Sequence, residues 1–195
     1  MKQTEYSLFR LLKRLYWDLC DKIERQYYAY WLISQIPGLF GNQLRAHFLA
    51  KRFKHAEKKL KVLAGARFRS MENLSVGYNV CIGNDNFIQA LGGISIGNNV
   101  LLGPNVKIWS VNHLYQDRNS LICKQGQIKK PVTIGNDVWI ASDVFITPGV
   151  HLPDGCVVAA GSVVTVKEYE PYCIIAGNPG SVIGYRESKK IIMLL

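Results

Sequence analysis

Two side chains that could carry chemistry lie in one long loop of the sequence. His113 follows Asn112 within the segment from Trp109 to Pro131, and Cys123 lies further along the same segment. An imidazole with an ordinary pKa of about 6.5 gains or loses a proton near neutral pH, which suits general acid–base chemistry. A cysteine attacks as a thiolate, and nothing near Cys123 in sequence would activate one. The loop therefore contains a candidate base, His113, and a thiol, Cys123, that lacks an activating neighbour in sequence.

The other histidines and cysteines fit no metal site. His47 and His55 fall in a basic segment and are interpreted as solvated, while His151 occupies a solvent-facing position. The five cysteines are widely spaced and contain no Cys-x-x-Cys pair. Neither a zinc knuckle nor a disulfide framework is indicated, so no metal is expected and a reduced cytoplasmic setting fits best.

The positive charge is confined to the N-terminal third. The formal net charge is +10, and residues 1–70 hold 15 Lys/Arg against 5 Asp/Glu, whereas residues 71–195 hold 9 of each. The pattern indicates a basic appendage joined to a neutral body. No nucleic-acid reading motif accompanies the charge, so nucleic acid is not an expected partner. No secretory signal is evident, and the uncharged run 26–44 is too polar to span a bilayer.

The neutral body shows an aliphatic residue at every sixth position. The series comprises Val76, Ile82, Ile88, Ile96, Leu102, Ile108, Ile134, Ile140, Ile146, Leu152, Val158 and Val164. A period of six fits neither a helix nor a plain strand; it fits a short strand plus a tight turn. Three such units close a triangular coil of about 18 residues, with strands stacked about 4.8 Å apart.

The interruptions of this series predict where the loops lie. Phe68, Ile88 and Ile108 are separated by 20 residues each, and each is followed by a link longer than six residues. The regular pattern ends after Val164, which occupies the same position in its coil as Phe68, Ile88 and Ile108. These irregular links should therefore leave from one corner of the prism, which is a rigid support for a site.

The N-terminal third has a helical pattern. Apolar residues recur at threes and fours from Leu8 to Trp31, and Pro37-Gly38 should end that helix. A second basic helix is expected over about residues 42–59, with Leu44, Phe48 and Phe53 inward. The predicted organisation is a basic amphipathic helical region at 1–59, a β-helix domain at 60–186 with its loop at 109–131, and a tail at 187–195.

The sequence resembles the hexapeptide-repeat acyltransferases, especially the galactoside, maltose and surface-polysaccharide O-acetyltransferase branch. The resemblance covers about residues 60–186. It rests on the repeats, Asn112-His113, Val132 to Ile140, Ala159 to Thr165, and Ala176-Gly177-Asn178-Pro179. It implies a mainly β fold, a left-handed parallel β-helix that departs from the usual crossover rule. It also implies a homotrimer with active sites between subunits.

The same resemblance implies an enzyme that transfers an acetyl group from acetyl-CoA to a carbohydrate hydroxyl. His113 would be the general base, because the hydroxyl must lose its proton as it attacks the thioester. A backbone N–H near Ser142 would stabilise the oxyanion, and transfer would be direct, without a covalent enzyme intermediate. Surface polysaccharide or a lipid-linked glycan would be the acceptor.

The resemblance also carries over binding residues. Those for the cofactor are Ala141, Ser142, Ala159, Ala160, Thr165, Lys167, Asn178 and Arg186; those for the acceptor are Asn86, Asn112 and Trp139. Two departures from the family pattern affect them. Val166 is inserted between Thr165 and Lys167, and Gly180-Ser181 stands where the family carries a basic residue, so Arg186 is expected as its substitute.

The basic region has two competing interpretations. Residues 5–59 would pack over the open end of the β-helix, which some element must cover. Alternatively, their Lys/Arg residues and the cluster at 27–31 would bind an anionic membrane leaflet, which suits a lipid-linked acceptor. The chain is accordingly expected in the cytoplasm, either free or at the inner face of the membrane.

Other classes remain as alternatives. A serine acetyltransferase shows an Asp before its loop histidine, where this chain has Ser110-Val111-Asn112. A sugar-nucleotide N-acetyltransferase is a second enzymatic alternative. A γ-type carbonic anhydrase requires three zinc-ligand histidines, but the repeat region contains only His113 and His151. A non-catalytic scaffold would not need both the Asn-His loop and the Asn-Pro turn.

Overall fold

A computed structural model describes residues 7–187 as three helices followed by a parallel β-helix. The helices are α1 (Leu8–Cys20), α2 (Lys22–Ser34) and α3 (Gly38–Ala50). Apart from Glu187, the predicted tail at 187–195 lies outside the described residues.

The first predicted helix is two helices, interrupted at Asp21. The Asp21 carboxylate accepts hydrogen bonds from the backbone N–H groups of Ile23 at 2.8 Å and Glu24 at 2.9 Å. It therefore caps the N-terminus of α2 while its own backbone is extended, which ends α1. The apolar spacing continues across the break, so periodicity alone did not reveal it.

Helix α3 begins and ends earlier than predicted. It starts at Gly38 rather than near Asn42 and ends at Ala50 rather than Lys59, because the first coil strand already forms at His55. Its inward face also differs from the prediction. Phe53, beyond the helix, is buried as expected, but Leu44 and Phe48 are only half-buried, and the fully buried helical side chains are Arg45 and Leu49.

The buried Arg45 guanidinium joins the helices to the coil. Its Nη1 donates to the main-chain carbonyls of Ile36 at 2.7 Å and Ile33 at 3.1 Å, and Nε donates to that of Val62 at 3.0 Å. Burial lowers the pKa of the Arg45 guanidinium. These carbonyl acceptors offset the loss of water around the buried cation.

The β-helix has three faces, here called sheets A, B and C. Sheet A contains β1 (His55–Ala56), β4 (Leu74–Val76), β7 (Ile94–Ile96), β12 (Val132–Ile134) and β15 (His151–Leu152). Sheet B contains β2 (Lys61–Val62), β5 (Cys81–Ile82), β8 (Leu101–Leu102), β13 (Trp139–Ile140), β16 (Val157–Val158), β18 (Cys173–Gly177) and the antiparallel β19 (Gly180–Tyr185). Sheet C contains β3 (Arg67–Arg69), β6 (Phe87–Gln89), β9 (Lys107–Trp109), β14 (Phe145–Ile146) and β17 (Val163–Val164).

The predicted repeat is confirmed by strand register and burial. Ile140 pairs with Val158 and Ile146 with Val164, a step of 18 residues, whereas Ile88 pairs with Ile108 across a step of 20. All twelve aliphatic residues of the series are buried in one hydrophobic core. The inward-facing aliphatic ladder therefore determines the prism.

The prediction that the irregular links share one corner is also confirmed. Each coil runs from sheet A to B to C, so the prism has an A–B, a B–C and a C–A corner. Strands β3, β6 and β9 all lie in sheet C and all lead to a link longer than the regular turn. The long loop from β9 to β12 therefore leaves from the C–A corner.

Helices α2 and α3 cover the first coil. Tyr30, Leu49 and Phe53 belong to the same core as the prism, and the Tyr30 hydroxyl donates to the Ala66 carbonyl at 2.9 Å. By contrast, α1 buries none of its side chains. Between residues 7 and 187, no helix has the length and apolar character needed to cross a membrane.

Candidate active site

The long loop is built around an antiparallel hairpin that carries His113. Strand β10 (Val111–His113) pairs with β11 (Gln127–Lys129), and His113 faces Gln127 across the ladder. A short 3₁₀ helix (Ile122–Lys124) lies in the connection. The hairpin gives the histidine a defined backbone position outside the prism.

Ser110 fixes the root of this hairpin, a role that the sequence analysis did not identify. Its buried hydroxyl donates to the Gln89 carbonyl and accepts from the Gly92 N–H, both at 2.9 Å. The Ser110 carbonyl accepts from the Lys130 N–H at 2.9 Å. A Cβ at Gly92 would lie 2.1 Å from that carbonyl oxygen, so the close approach requires glycine. The Gly92-Gly93 pair in the preceding link was the available signal.

The side chains of His113 and Asn112 are both exposed. The Asn112 Oδ1 accepts a hydrogen bond from the backbone N–H of His113 at 2.9 Å. The His113 imidazole makes no hydrogen bond or ion pair to any residue within 7–187. Contacts within the chain therefore fix the backbone of His113, and both ring nitrogens remain free to bind a substrate or accept a proton.

The predicted small residues of the donor groove form one column along the B–C corner. Ala141 and Ser142 follow β13, and Ala159 and Ala160 follow β16 one coil further on. The backbone N–H groups of Ser142 and Ala160 meet no acceptor in the described part of the chain. The column therefore offers free main-chain donors beside small side chains, which is what an extended, amide-containing ligand can bind.

The histidine and this column lie at different corners of the same prism. The hairpin that bears His113 leaves from the C–A corner, whereas Ser142 lies at the B–C corner, and the outer face of sheet C separates them. Trp109, on that face, packs edge-to-face between Phe87 at 6.0 Å and Phe145 at 5.4 Å. Its buried Nε1 has no hydrogen-bond partner among residues 7–187.

The later cofactor residues are not all brought together. Lys167 Nζ donates to the Gly180 carbonyl at 2.9 Å, and Asn178 is exposed in the β18–β19 turn beside it. The Thr165 carbonyl accepts from the Tyr169 hydroxyl at 3.0 Å. Lys167 and Asn178 thus lie close to the end of the B–C column.

Arg186 lies elsewhere, contrary to its predicted place beside these residues. It follows Gly180 by six residues of extended strand, a separation of about 20 Å. Its Nη1 donates to Asp137 Oδ2 and to the Gly155 carbonyl, both at 2.9 Å, at the A–B corner. The guanidinium holds β19 against the prism, away from Lys167 and Asn178 of its own chain. The cofactor contact expected for Arg186 stays a prediction.

Of the three predicted acceptor residues, Asn112 is exposed beside His113, and the other two, Asn86 and Trp139, lie elsewhere. Asn86 is fully buried; its amide N–H donates to the Gly83 carbonyl and its Oδ1 accepts from the Val106 N–H. This geometry favours a structural role in the corner turn over the expected acceptor contact. Trp139, 36% exposed, lies on sheet B, the face opposite the C–A corner, so it does not meet His113 of its own chain.

No cluster of three or more His, Cys, Asp or Glu side chains suited to a metal ion occurs within residues 7–187. The groups that the described residues present for chemistry are the His113 imidazole and the main-chain N–H donors of Ser142 and Ala160.

Comparisons with known proteins identify the same repeat and point to acetyltransferases. The family model for the bacterial transferase hexapeptide (six repeats) matches residues 131–165. The galactoside O-acetyltransferase of Escherichia coli K12 is 37% identical over 120 residues, which cover 61% of this chain and 54% of that protein. Alignments with the first curated relatives span between 38% and 58% of those proteins' lengths.

Solved structures are similar over most of the chain. A maltose O-acetyltransferase from Clostridium difficile 630 superposes with a TM-score of 0.74 at 31% identity, covering 87% of this chain and 91% of that one. A galactoside acetyltransferase in complex with coenzyme A superposes with a TM-score of 0.72 at 30% identity, covering 83% and 78%. The β-helix is thus of the left-handed type found in these enzymes. The chain belongs to the family of hexapeptide-repeat acetyltransferases.

Proposed function

We propose that this chain is an acetyl-CoA-dependent O-acetyltransferase that modifies a sugar hydroxyl of a surface polysaccharide or lipid-linked glycan. The observation that carries the proposal is that one rigid prism presents both an imidazole, on the hairpin, and a column of free main-chain N–H groups. The similar Escherichia coli protein is a galactoside O-acetyltransferase, and a similar solved structure was obtained in complex with coenzyme A.

His113 acts as the general base in this proposal. Its imidazole takes the proton of the sugar hydroxyl as the hydroxyl oxygen attacks the thioester carbonyl. The N–H of Ser142 donates to the resulting oxyanion. Collapse of the tetrahedral intermediate breaks the carbon–sulfur bond, and the leaving thiolate receives the proton from the imidazolium, giving an acetate ester and free coenzyme A.

The donor binds along the B–C corner. A pantetheine carbonyl accepts from the free Ala160 N–H, and the small side chains of Ala141, Ser142 and Ala159 leave room for the extended arm. Asn178 and Lys167 lie nearer the phosphates. Thr165, which follows β17 at the C–A end of sheet C, is a further candidate donor contact. Asn112 and Trp139 remain candidate acceptor contacts because their side chains are exposed.

The active enzyme is a homotrimer whose sites form between subunits. Support comes from the separation of His113 and Ser142 by a full face of one prism. Because the base and the oxyanion donor must act on the same thioester, they come from neighbouring chains. Residues from both chains then enclose the reaction.

Two inactive variants test this arrangement together. His113→Ala removes the base, and Ser142→Pro removes the N–H donor. If the two groups act across an interface, co-expressed variants form mixed trimers that contain some intact sites and regain part of the activity. Mixed trimers that remain as inactive as either variant alone would show that both groups serve the site within one chain.

The N-terminal helices contact an anionic membrane surface in addition to covering the first coil. Support comes from α1, which buries no side chain, exposes Trp17 and Leu8, and carries Arg10 and Lys13. Such a helix lies in the interface of a bilayer and binds anionic lipid electrostatically. Co-sedimentation with phosphatidylglycerol vesicles, weakened by salt or by Trp17→Ala and absent with phosphatidylcholine, is the expected result; equal recovery with both lipids would contradict it.

Thiol release from acetyl-CoA with a panel of glycans tests the activity itself. His113→Ala should lower kcat by about 10²–10⁴-fold while the KM for acetyl-CoA stays unchanged. His151→Ala, which removes an exposed histidine of the prism, should retain full activity. Release only with serine or with an amino sugar would favour the alternative enzymes, and no release with any acceptor would favour a non-catalytic scaffold.

A further inference from the structure

A cavity of about 620 Å³ lies between helix α2 and the outer face of sheet C. Its helical wall includes Tyr27 and Trp31, and its other wall includes Arg67, Arg69 and Phe87. Cavities of this volume hold ligands of the size of a sugar derivative. The cavity is distinct from both the hairpin and the B–C column.

Two guanidinium groups are available in this cavity. Arg67 and Arg69 flank the inward-facing Phe68 on β3, so alternation of side chains places both on the outer face, with Cα atoms about 7 Å apart. Within residues 7–187, neither forms an ion pair or donates a hydrogen bond. Glu24 also lines the cavity, but two cations and one carboxylate leave a formal charge of +1.

Aromatic rings hold these guanidinium groups in place. The Arg67 Cζ lies 5.2 Å from the centre of the Phe87 ring, and the Arg69 Cζ lies 5.4 Å from that of Tyr27. Tyr27 is itself fixed, because its hydroxyl accepts from the Ser70 N–H at 3.0 Å. A cation near an aromatic face is attracted by the ring, and its N–H groups stay free for the bidentate contacts that phosphate oxygens accept.

The helical wall adds a surface for a ring. Tyr27 and Trp31 are four residues apart on α2, so they lie on the same side of the helix. Trp31 is 70% exposed although it borders the cavity. An aromatic face of this kind packs against the C–H face of a pyranose or against another flat ring.

The cavity is connected to the proposed reaction site by packed aromatic residues. Phe87, in its wall, contacts Trp109 edge-to-face, and Trp109 ends the strand that leads within four residues to His113. A ligand anchored in the cavity can therefore extend along sheet C toward the hairpin.

We propose that this cavity binds the phosphate-bearing part of the acceptor, a glycosyl phosphate or diphosphate. Arg67 and Arg69 hold the phosphate oxygens, and Tyr27 and Trp31 pack against the adjoining ring. This inference rests on the proposed function for its acceptor class, but the binding step needs no acetyl transfer. A soluble nucleotide sugar and a membrane-borne polyprenyl diphosphate present the same chemistry.

Titration of the full-length protein tests the proposal by following tryptophan fluorescence or heat. The probes are glucose, glucose 1-phosphate, uridine diphosphate glucose, and phosphatidylcholine vesicles doped with a polyprenyl diphosphate. The wild type should bind the phosphorylated probes at least about tenfold more tightly than glucose, because charge-assisted hydrogen bonds distinguish them. The soluble and vesicle arms show which source is preferred.

The double variant Arg67→Gln/Arg69→Gln should lose about tenfold in affinity for the phosphorylated probes and nothing for glucose. The matched control Lys54→Gln/Lys58→Gln removes the same charge from exposed positions of the basic region outside the cavity and should bind as the wild type does. Equal losses of affinity in both double variants would show that net charge alone explains the binding, and this would overturn the proposal.

Failure here is separable from failure of the enzyme proposal. If acetyl transfer to a glycan proceeds but wild type and variant bind phosphorylated and free sugar alike, the cavity is not the anchor and the activity stands. If the phosphorylated probes bind through the arginines but no acceptor is acetylated, the cavity assignment stands and the proposed activity does not.

Discussion

Arg45 Nε donates a hydrogen bond to the main-chain carbonyl of Val62 at 3.0 Å, and this bond connects helix α3 to a core residue of the first coil. The same guanidinium holds carbonyls at the end of α2. A single cation therefore joins both helices to the β-helix, at a point where its removal leaves buried carbonyls without donors.

Arg45→Met should lower the free energy of unfolding by about 3 kcal/mol, because it leaves the main-chain carbonyls of Val62 and Ile36 without a donor. Thermal unfolding at fixed protein concentration would show this as a Tm lower by about 10 °C. Arg118→Met, an exposed change of the same residue types, is the control. Similar Tm values for the two variants would contradict the structural role of Arg45.

The adjacent pair Leu152 and His151 tests the repeat. Leu152 is fully buried in the prism, whereas His151 points outward from the same strand. Leu152→Ala should cost about 2–5 kcal/mol through the cavity that it leaves, and His151→Ala should stay within about 0.5 kcal/mol of the wild type. Denaturant titration measures both free energies of unfolding. A larger loss for His151→Ala than for Leu152→Ala would mean that the inward-facing positions of the strand are assigned one residue off.

Asn86 should prove structural. Asn86→Ala leaves the buried Val106 N–H and Gly83 carbonyl unpaired, which predicts a loss of about 1–3 kcal/mol for each unsatisfied group. Asn119→Ala, in the exposed loop, should be neutral. If Asn86→Ala instead unfolded as the wild type does and raised only the KM for the acceptor, its assignment to the corner turn would be wrong.

The thiols should differ sharply in reactivity. Cys20 and Cys123 are exposed, whereas Cys156 and Cys173 are buried with their sulfur atoms 3.4 Å apart. Burial, followed by the contact with Cys173, raises the pKa of Cys156 to about 12. A raised pKa means less thiolate at any lower pH, so Ellman's reagent at pH 8 should label the exposed pair quickly.

Cys156 and Cys173 should react only after unfolding. Rapid labelling of this pair in the native protein would show that the last coils of the β-helix, which contain Cys156 and Cys173, open readily.

The prism was predictable because its determinants are local. The six-residue series sets burial and register directly, and the 20-residue separation of Phe68, Ile88 and Ile108 fixes the corner of the loops. The helix break at Asp21 was not predicted, because a side-chain cap outweighed an unbroken apolar pattern.

The site was predictable only in part. The hairpin position of His113 and the column at Ala141 and Ser142 follow from where they interrupt or continue the repeat. The burial of Arg45 and the placement of Arg186 depend on carbonyls from distant segments, which no spacing in the sequence reveals.

A crystal structure of the protein with coenzyme A would test the central claim most directly. We expect the cofactor along the B–C corner of one subunit, with its sulfur about 3–4 Å from the His113 imidazole of a neighbouring subunit and close to the Ser142 N–H. A cofactor sulfur more than about 10 Å from every His113 imidazole would contradict the assignment of this histidine as the base.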